Sequence, residues 1–337
     1  MPGDPLLSGD SEPTTAPART VTGILLGIDV GGTKVSLGTA DQDGGPLYST
    51  RIASDAEDGA DAMLPRLLTA ARELAARSVR DWDAPLVAVG LVCPGIVRAE
   101  GVLLSPNTPG WDAVRLADAA RAAFPGIPVA LMNDVKAAAL AEAAHGALSG
   151  VHCGLYVNLG TGIAAAIVLD GEVVNGANGA AGEIGYQLPA PGVAPAHAEG
   201  HAPLEEAVSG KAIAARVSAT LGRGVSVPEA FALAADDDRV RDVVHGALDL
   251  FATHVANLAV AVDPQRIVLG GGLARQADVI LPRLVAAVRR VVPFPPQVVV
   301  ATSPDGAALA GALELAARTA ANDMPVPQPA QGPITKE

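Results

Sequence analysis

Cysteine is almost missing from this chain of 337 residues: Cys93 and Cys153 are the only two, and neither belongs to a CxxC pair. A disulfide scaffold is thereby excluded, and the composition suits a reducing cytoplasm. Aromatic residues make up 3% of the chain, so a core must be assembled from Ala, Val, Leu and Ile. Lysine occurs at Lys34, Lys136, Lys211 and Lys336 alone. With 23 basic against 36 acidic residues the formal charge is −13, which argues against a nucleic-acid partner, because phosphate contacts require clustered Lys and Arg. No apolar stretch reaches the roughly 18 uninterrupted residues that read as a membrane span. The opening segment, MPGDPLLSGDSEPTTAPART, is acidic and proline-rich; it lacks the basic and apolar regions of a secretory signal, so a cytoplasmic location is expected.

What is present is a chain that is 50% hydrophobic, enough for a substantial core. Its length suggests about two domains. Residues 1–20 and 321–337 are rich in Pro, Ser, Thr and Ala and read as tails. Between them, strand-like and helix-like stretches alternate, the pattern of an α/β protein. GILLGIDV, KVSLGTAD, LYSTRIAS, LVAVGLVC and PVALMND read as strands. Asp61–Arg77, with Met63, Leu67, Leu68 and Leu74 near helical spacing, reads as a helix, as do Val114–Ala123 and the Ala-rich VKAAALAEAAHGA.

One pattern occurs twice. YVNLGTGIAAAIVLDG (Tyr156 to Gly171) can be laid on GIDVGGTKVSLGTAD (Gly27 to Asp41), so that Asn158 falls on Asp29, Gly160 on Gly31 and Asp170 on Asp41. Each reads as strand, tight Gly/Thr turn, strand. A duplicated hairpin predicts two related α/β lobes, expected at 21–128 and 129–320, each presenting its turn to a central cleft.

The chemistry-bearing residues gather at such junctions. In GIDVGGTK, the glycines permit a tight turn whose successive N–H groups form a concave anion site. Thr33 adds a hydroxyl, Lys34 a positive charge, and Asp29 is a hard oxygen ligand suited to Mg²⁺ through water. The same segment also reads as a plain hairpin turn, and neither GxxxxGK[ST] nor GxGxxG is present there. Gly160, Thr161 and Gly162 form the second such turn. Gly270, Gly271 and Gly272 follow an apolar strand, either to accept a nucleotide against bare backbone or simply to pack a helix. Asn133-Asp134 sits where a strand meets a helix, so Asp134 is either an N-cap or a general base. Glu183, in NGANGAAGEIGYQL, is either solvated or committed to a polyol. Asn107, in SPNTPGW, offers an amide from a Pro/Gly loop that also reads as an ordinary turn.

GIDVGGTK, SPNTPGW, NDVKAAALAE, LGTGIAAAIVLDG, GANGAAGEIG and VLGGG stand in the order found in the ROK (repressor, open reading frame, kinase) sugar kinases, and the chain resembles that family from about Gly23 to Ala317. The resemblance implies an actin/hexokinase-like (ribonuclease H-like) duplicated fold and an ATP- and Mg²⁺-dependent transfer of phosphate to a hexose, foremost glucose to glucose 6-phosphate. An N-acetylmannosamine or other N-acetylhexosamine kinase is the enzymatic alternative, and a non-catalytic sugar-sensing regulator the other. By the resemblance Asp134 is the catalytic base, and Asn107, Asn133, Glu183 and Glu205 are sugar ligands. Gly31–Lys34 and Gly160–Gly162 are the phosphate loops, and Gly270–Gly272 lie on the nucleotide side. A dimer or tetramer is implied, with no membrane or nucleic-acid partner. One departure stands out: family members follow GEIG with His and supply a CxCGxxGC zinc loop, whereas here Tyr186 takes the His position and QLPAPGVAPAHAEGHA contains no cysteine. Four tetrahedral ligands cannot be drawn from that stretch, so no structural zinc is expected.

Overall fold

The computed structural model describes residues 20–55, 59–98, 101–104, 114–192, 195–303 and 306–321. Asn107 and nearly all of both tails lie outside them. Strands β1 (Ile24–Val30), β2 (Lys34–Asp41) and β3 (Pro46–Ala53) form an antiparallel meander, then helix α1 (Ala60–Trp82) leads to β4 (Leu86–Cys93). A small hairpin of β5 (Ile96–Arg98) and β6 (Gly101–Leu103) follows, then α2 (Leu116–Ala123), β7 (Val129–Asn133) and α3 (Asp134–His145). The sheet order is β3-β2-β1-β4-β7, with β4 and β7 added in parallel. Strand β1 is buried along nearly its whole length because both faces of the sheet are covered. Its Leu26, Ile28 and Val30 share a core with Met63, Leu67 and Ala71 of α1.

The second sheet repeats this plan. Strands β8 (Cys153–Leu159), β9 (Ile163–Leu169) and β10 (Glu172–Val173) form the meander. Helices α4 (Pro203–Val208), α5 (Gly210–Leu221), α6 (Val227–Leu233) and α7 (Asp238–Val262) are inserted before β11 (Arg266–Gly270). Helix α8 (Ala277–Val291) and β12 (Gln297–Val300) complete the order β10-β9-β8-β11-β12, with β11 and β12 parallel. Among the described residues α7 alone is long and apolar enough to cross a membrane. Its Val240, Val244, Ala247, Leu248, Phe251 and Val255 are buried in the core beneath this sheet. Tyr156 and Phe251 are the largest fully buried side chains, and Tyr48, Phe124 and Phe231 are buried too; most of the core is aliphatic, as the shortage of aromatics requires.

The last helix, α9 (Ala307–Ala320), packs on the first sheet. Gly38, Gly27 and Gly90 lie side by side on β2, β1 and β4 and form a shallow seam beneath it. A methyl group at Gly90 would overlap the Ala312 carbonyl, and one at Gly27 would reach within 2.9 Å of Leu313 Cγ. Bare backbone therefore sets how closely helix and sheet approach. The described residues up to Ala141, with Ala177–Gly179 and α9, form one compact unit; Glu142–Gly176 and Ala180–Gly306 form the other. The boundary expected at 128/129 is thus displaced: β7 is held by its parallel ladder to β4, and the start of α3 and all of α9 belong with the first sheet. The expected overlay of the hairpins also slips. Asp29 pairs with Ser36, whereas Asn158 pairs with Ala164, because the second turn is one residue shorter. Leu169, not Asp170, is therefore the counterpart of Asp41.

Candidate active site

In the first unit, the C-terminal ends of β1, β4 and β7 bring Asp29, Cys93 and the Asn133-Asp134 pair together. Asp29 lies beside Val92 in the β1–β4 ladder, and Cys93 beside Asn133 in the β4–β7 ladder. Burial, and then the Asp134 carboxylate, push the Asp29 carboxyl up to about 7, against the opposing pull of Lys34, Ser36 and Arg51. Burial likewise raises Asp134, whose carboxylate is partly relieved by the Val135 amide donating to Oδ1 at 2.9 Å. The Cys93 thiol is raised by burial and by both carboxylates. Two acids crowded in a desolvated place in this way are a common mark of functional chemistry.

The N-cap is Asn133, which corrects one of the two roles expected for Asp134. Its Oδ1 accepts from the Val135 and Lys136 amides at 2.9 and 3.1 Å, while its Nδ2 donates to the Gly95 carbonyl at 2.8 Å. Asn133 thereby ties the turn after β4 to the start of α3, and its oxygen is committed to the helix. Asp134, released from capping, is the first residue of α3. The Gly31–Lys34 turn is closed by the Gly31 amide donating to the Lys34 carbonyl at 3.0 Å and is steadied by Ser54, whose hydroxyl donates to the Gly32 carbonyl at 2.7 Å. The Gly31 amide is therefore used internally, while Thr33 and Lys34 are exposed at the tip.

In the second unit, the other two glycine clusters meet. The Gly160–Gly162 turn is closed by Gly160 N–H donating to the Gly162 carbonyl at 2.9 Å, and a Cβ at Gly160 would lie 3.4 Å from Gly272 N. Gly271 has φ +85° and faces the Leu159 carbonyl and Asn158 Oδ1 so closely that a side chain would collide with both. Gly270 fits against the Tyr156 ring, so it has a packing purpose of its own, while Gly272 faces open space. Glu205, in the first turn of α4, accepts from the Ile163 amide at 3.0 Å through Oε2, beside Gly162. Burial raises its carboxyl, and burial together with Glu183 and Glu205 raises the Tyr186 phenol. Glu183 and Glu205 thus both act on Tyr186.

Three participants escaped the motif reading. Ser36 and Arg51 stand in line with Asp29 across β2 and β3; counting hairpin register would have found them. The sequence marks Tyr186 only by the family His it replaces. In the following loop, Glu199 Oε2 accepts from the Ala196 amide at 2.7 Å and His201 pairs with Glu206 at 3.0 Å. His197 meets Tyr186 edge-on, with ring centroids 5.1 Å apart. His197, Glu199 and His201, spaced H-x-E-x-H, therefore turn to different partners. Among the described residues no group of three metal-ligating side chains converges.

Two sheets of identical strand order, each opening with a Gly/Thr hairpin, define the actin/hexokinase-like fold. The profile of the ROK family matches residues 25–319. The chain is 31% identical to a glucokinase of Halalkalibacterium halodurans over 76% of this chain and 82% of the relative. It is also 31% identical to a kanosamine kinase of Amycolatopsis mediterranei, over 89% and 98%. The crystal structure of a ROK family glucokinase from Streptomyces griseus in complex with glucose and AMPPNP superposes with a TM-score of 0.71 at 25% identity, covering 87% of this chain and 99% of that one. The chain belongs to the ROK family and is one of its sugar kinases.

Proposed function

We propose that this protein transfers the γ-phosphoryl group of ATP to a hexose hydroxyl, with glucose to glucose 6-phosphate as the foremost reaction. The observation that carries this reading is the half-buried, desolvated Asp134 carboxylate at the start of α3, next to Asp29 and left free of capping by Asn133. A sugar hydroxyl is a poor nucleophile; a carboxylate with a raised proton affinity, within reach of it, takes the proton as the oxygen attacks, a contribution of about 10²–10⁴-fold. Glu183 and Glu205 accept from sugar hydroxyls, with Tyr186 beside them, and Asn107 adds an amide. The Asn133 oxygen is held by the helix, so its part is to fix Asp134 in place and to leave at most its amide for the sugar. Phosphoryl transfer depends on positioning and charge stabilisation. The Gly31–Lys34 and Gly160–Gly162 turns supply backbone amides and hydroxyls to the phosphates, with Gly271 and Gly272 on the nucleotide side.

The donor set near Asp29 suits Mg²⁺: a hard carboxylate whose proton affinity is raised by burial and by a second carboxylate gains from a divalent cation. Asp29 would hold the ion through water, and bound there it supplies positive charge to the phosphate oxygens. A second reading takes kanosamine or an N-acetylhexosamine as acceptor; it is favoured by the kanosamine kinase relative, matched over nearly its entire length, and by the phenol of Tyr186 among the sugar-side acids.

A coupled ADP-release assay with glucose, mannose, kanosamine, N-acetylmannosamine and N-acetylglucosamine tests these readings. Glucose is expected to give the highest kcat/KM; a higher value for an amino or N-acetylated sugar transfers the assignment to the second reading. Sugar binding without ADP release for any of them would overturn both and leave a sensor.

A further inference from the structure

Lys136 is 2% exposed, a burial rare for an ammonium group because desolvating it is unfavourable unless partners are close at hand. It lies in the first turn of α3, two residues beyond Asp134. The helix carrying it is firmly seated: Asn133 caps it, and Gly311 of α9 lies flush against its Ala137 backbone. From this platform Lys136 Nζ donates to the Gly179 carbonyl at 2.6 Å. Gly179 belongs to Ala177–Gly179, a strip grouped with the first unit although the residues on either side of it belong to the second.

The strip is gripped from its other side too. Gly179 has φ +74°, and a Cβ there would stand 2.7 Å from the Val97 carbonyl of β5. The stretch around it, NGANGAAG, closes on itself where the Ala181 amide donates to the Asn175 carbonyl at 3.1 Å and is tied to β9 where the Ala165 amide donates to the Gly182 carbonyl at 2.8 Å; at Gly179, between these two ties, the hold comes from Lys136 and β5. Glu183 follows four residues further along the chain. We infer that Lys136 is a positioning residue: its ammonium fixes the Gly179 carbonyl and so sets the path of the loop that leads to Glu183, and with it the affinity for sugar. The inference rests on the reading of Glu183 as a sugar ligand.

Lys136→Met removes the donor while keeping the length and apolar stem of the side chain, and Gly179→Ala disturbs the same contact from the opposite side. Each is expected to raise the KM for glucose about tenfold or more while moving the KM for ATP by about twofold or less, with kcat falling less than KM rises. The double variant should be little worse than the poorer single one, because both act through one contact. Hydrogen exchange of peptides spanning 176–183 should quicken in both variants. Unchanged exchange in both overturns the anchor; quickened exchange with an unchanged KM for glucose overturns its link to sugar binding. Should Lys136→Met fail to fold, Gly179→Ala decides by the same two readings. Should the parent protein release no ADP with any hexose, the kinase reading falls by itself, and glucose affinity measured by calorimetry replaces KM in deciding the anchor.

Discussion

The two sheets share one strand order but have parted in chemistry. At the end of β1 stands Asp29, and at the end of β8, in the corresponding place, Asn158. Strand β4 ends in Cys93 beside the Asn133-Asp134 pair, whereas β11 ends in Gly270 and opens into Gly271 and Gly272. At these strand ends the first unit places two crowded acids; the second offers backbone, an amide and small turns. On the proposed function, the duplicated scaffold is specialised at corresponding strand ends, one for proton transfer and cation binding, the other for the approach of an anion. Charge near phosphate is useful only where a cation or a proton answers it, and this accounts for a carboxylate on one side and an amide on the other.

The comparison can be broken at several places. The largest effect is expected from Asp134→Asn, which keeps the shape of the side chain and removes its basicity: kcat in the ADP-release assay should fall by about 10²–10⁴-fold, while glucose affinity by calorimetry changes by about threefold or less. A variant retaining more than about a tenth of the parent rate would exclude Asp134 as the base. Next comes packing. Gly90→Ala drives a methyl group into the Ala312 backbone and should lower unfolding stability by about 3 kcal/mol. Gly154→Ala in the second sheet meets only the end of the Leu148 side chain and should lower it by about 1 kcal/mol. Urea titrations of the pair show whether the glycine seam is peculiar to the first sheet; equal losses would contradict that.

A smaller effect separates the two strand ends by pH. A carboxyl raised from 3.8 to about 7 on folding holds its proton in the folded state when the unfolded chain has released it, so stability declines as pH rises through that interval. With chelator present, Asp29→Asn should therefore stabilise the protein at pH 8 by on the order of 2 kcal/mol and leave it nearly unchanged at pH 4. A gain of the same size at both pH values would show that burial of Asp29 carries no titration penalty. The mildest change is the reverse exchange, Asn158→Asp, which places a carboxylate against the glycine turns of the second unit. The KM for ATP is expected to rise about tenfold, with the KM for glucose little affected.

Much of this is legible in the sequence alone. Strands β1, β2, β4 and β8 announce themselves as apolar runs punctuated by Gly and Thr, and the repetition of the hairpin foretold the repetition of the sheet. The Asn133-Asp134 seam was visible as a strand running into an Ala-rich helix, but which of the two residues caps the helix was not, because that depends on side-chain rotamers and on the Gly95 carbonyl reached from another turn. The ownership of α9 was also hidden. Nothing local in Ala307–Ala320 says which sheet it covers; the answer lies in Gly27, Gly38 and Gly90, far away in sequence. Glu183, Tyr186 and Glu205 read as separate features because a helical turn and a long loop come between them.

By itself the order of residues determined the alternation of strands and helices, the tight turns and the chemical repertoire, since these follow from side-chain period, backbone freedom and composition over short spans. Only the tertiary structure decided how acidic Asp29 is, which residue caps α3, and that Lys136 grips Gly179. Each of these depends on desolvation or on contact between segments remote along the chain, and neither acts until the chain has folded.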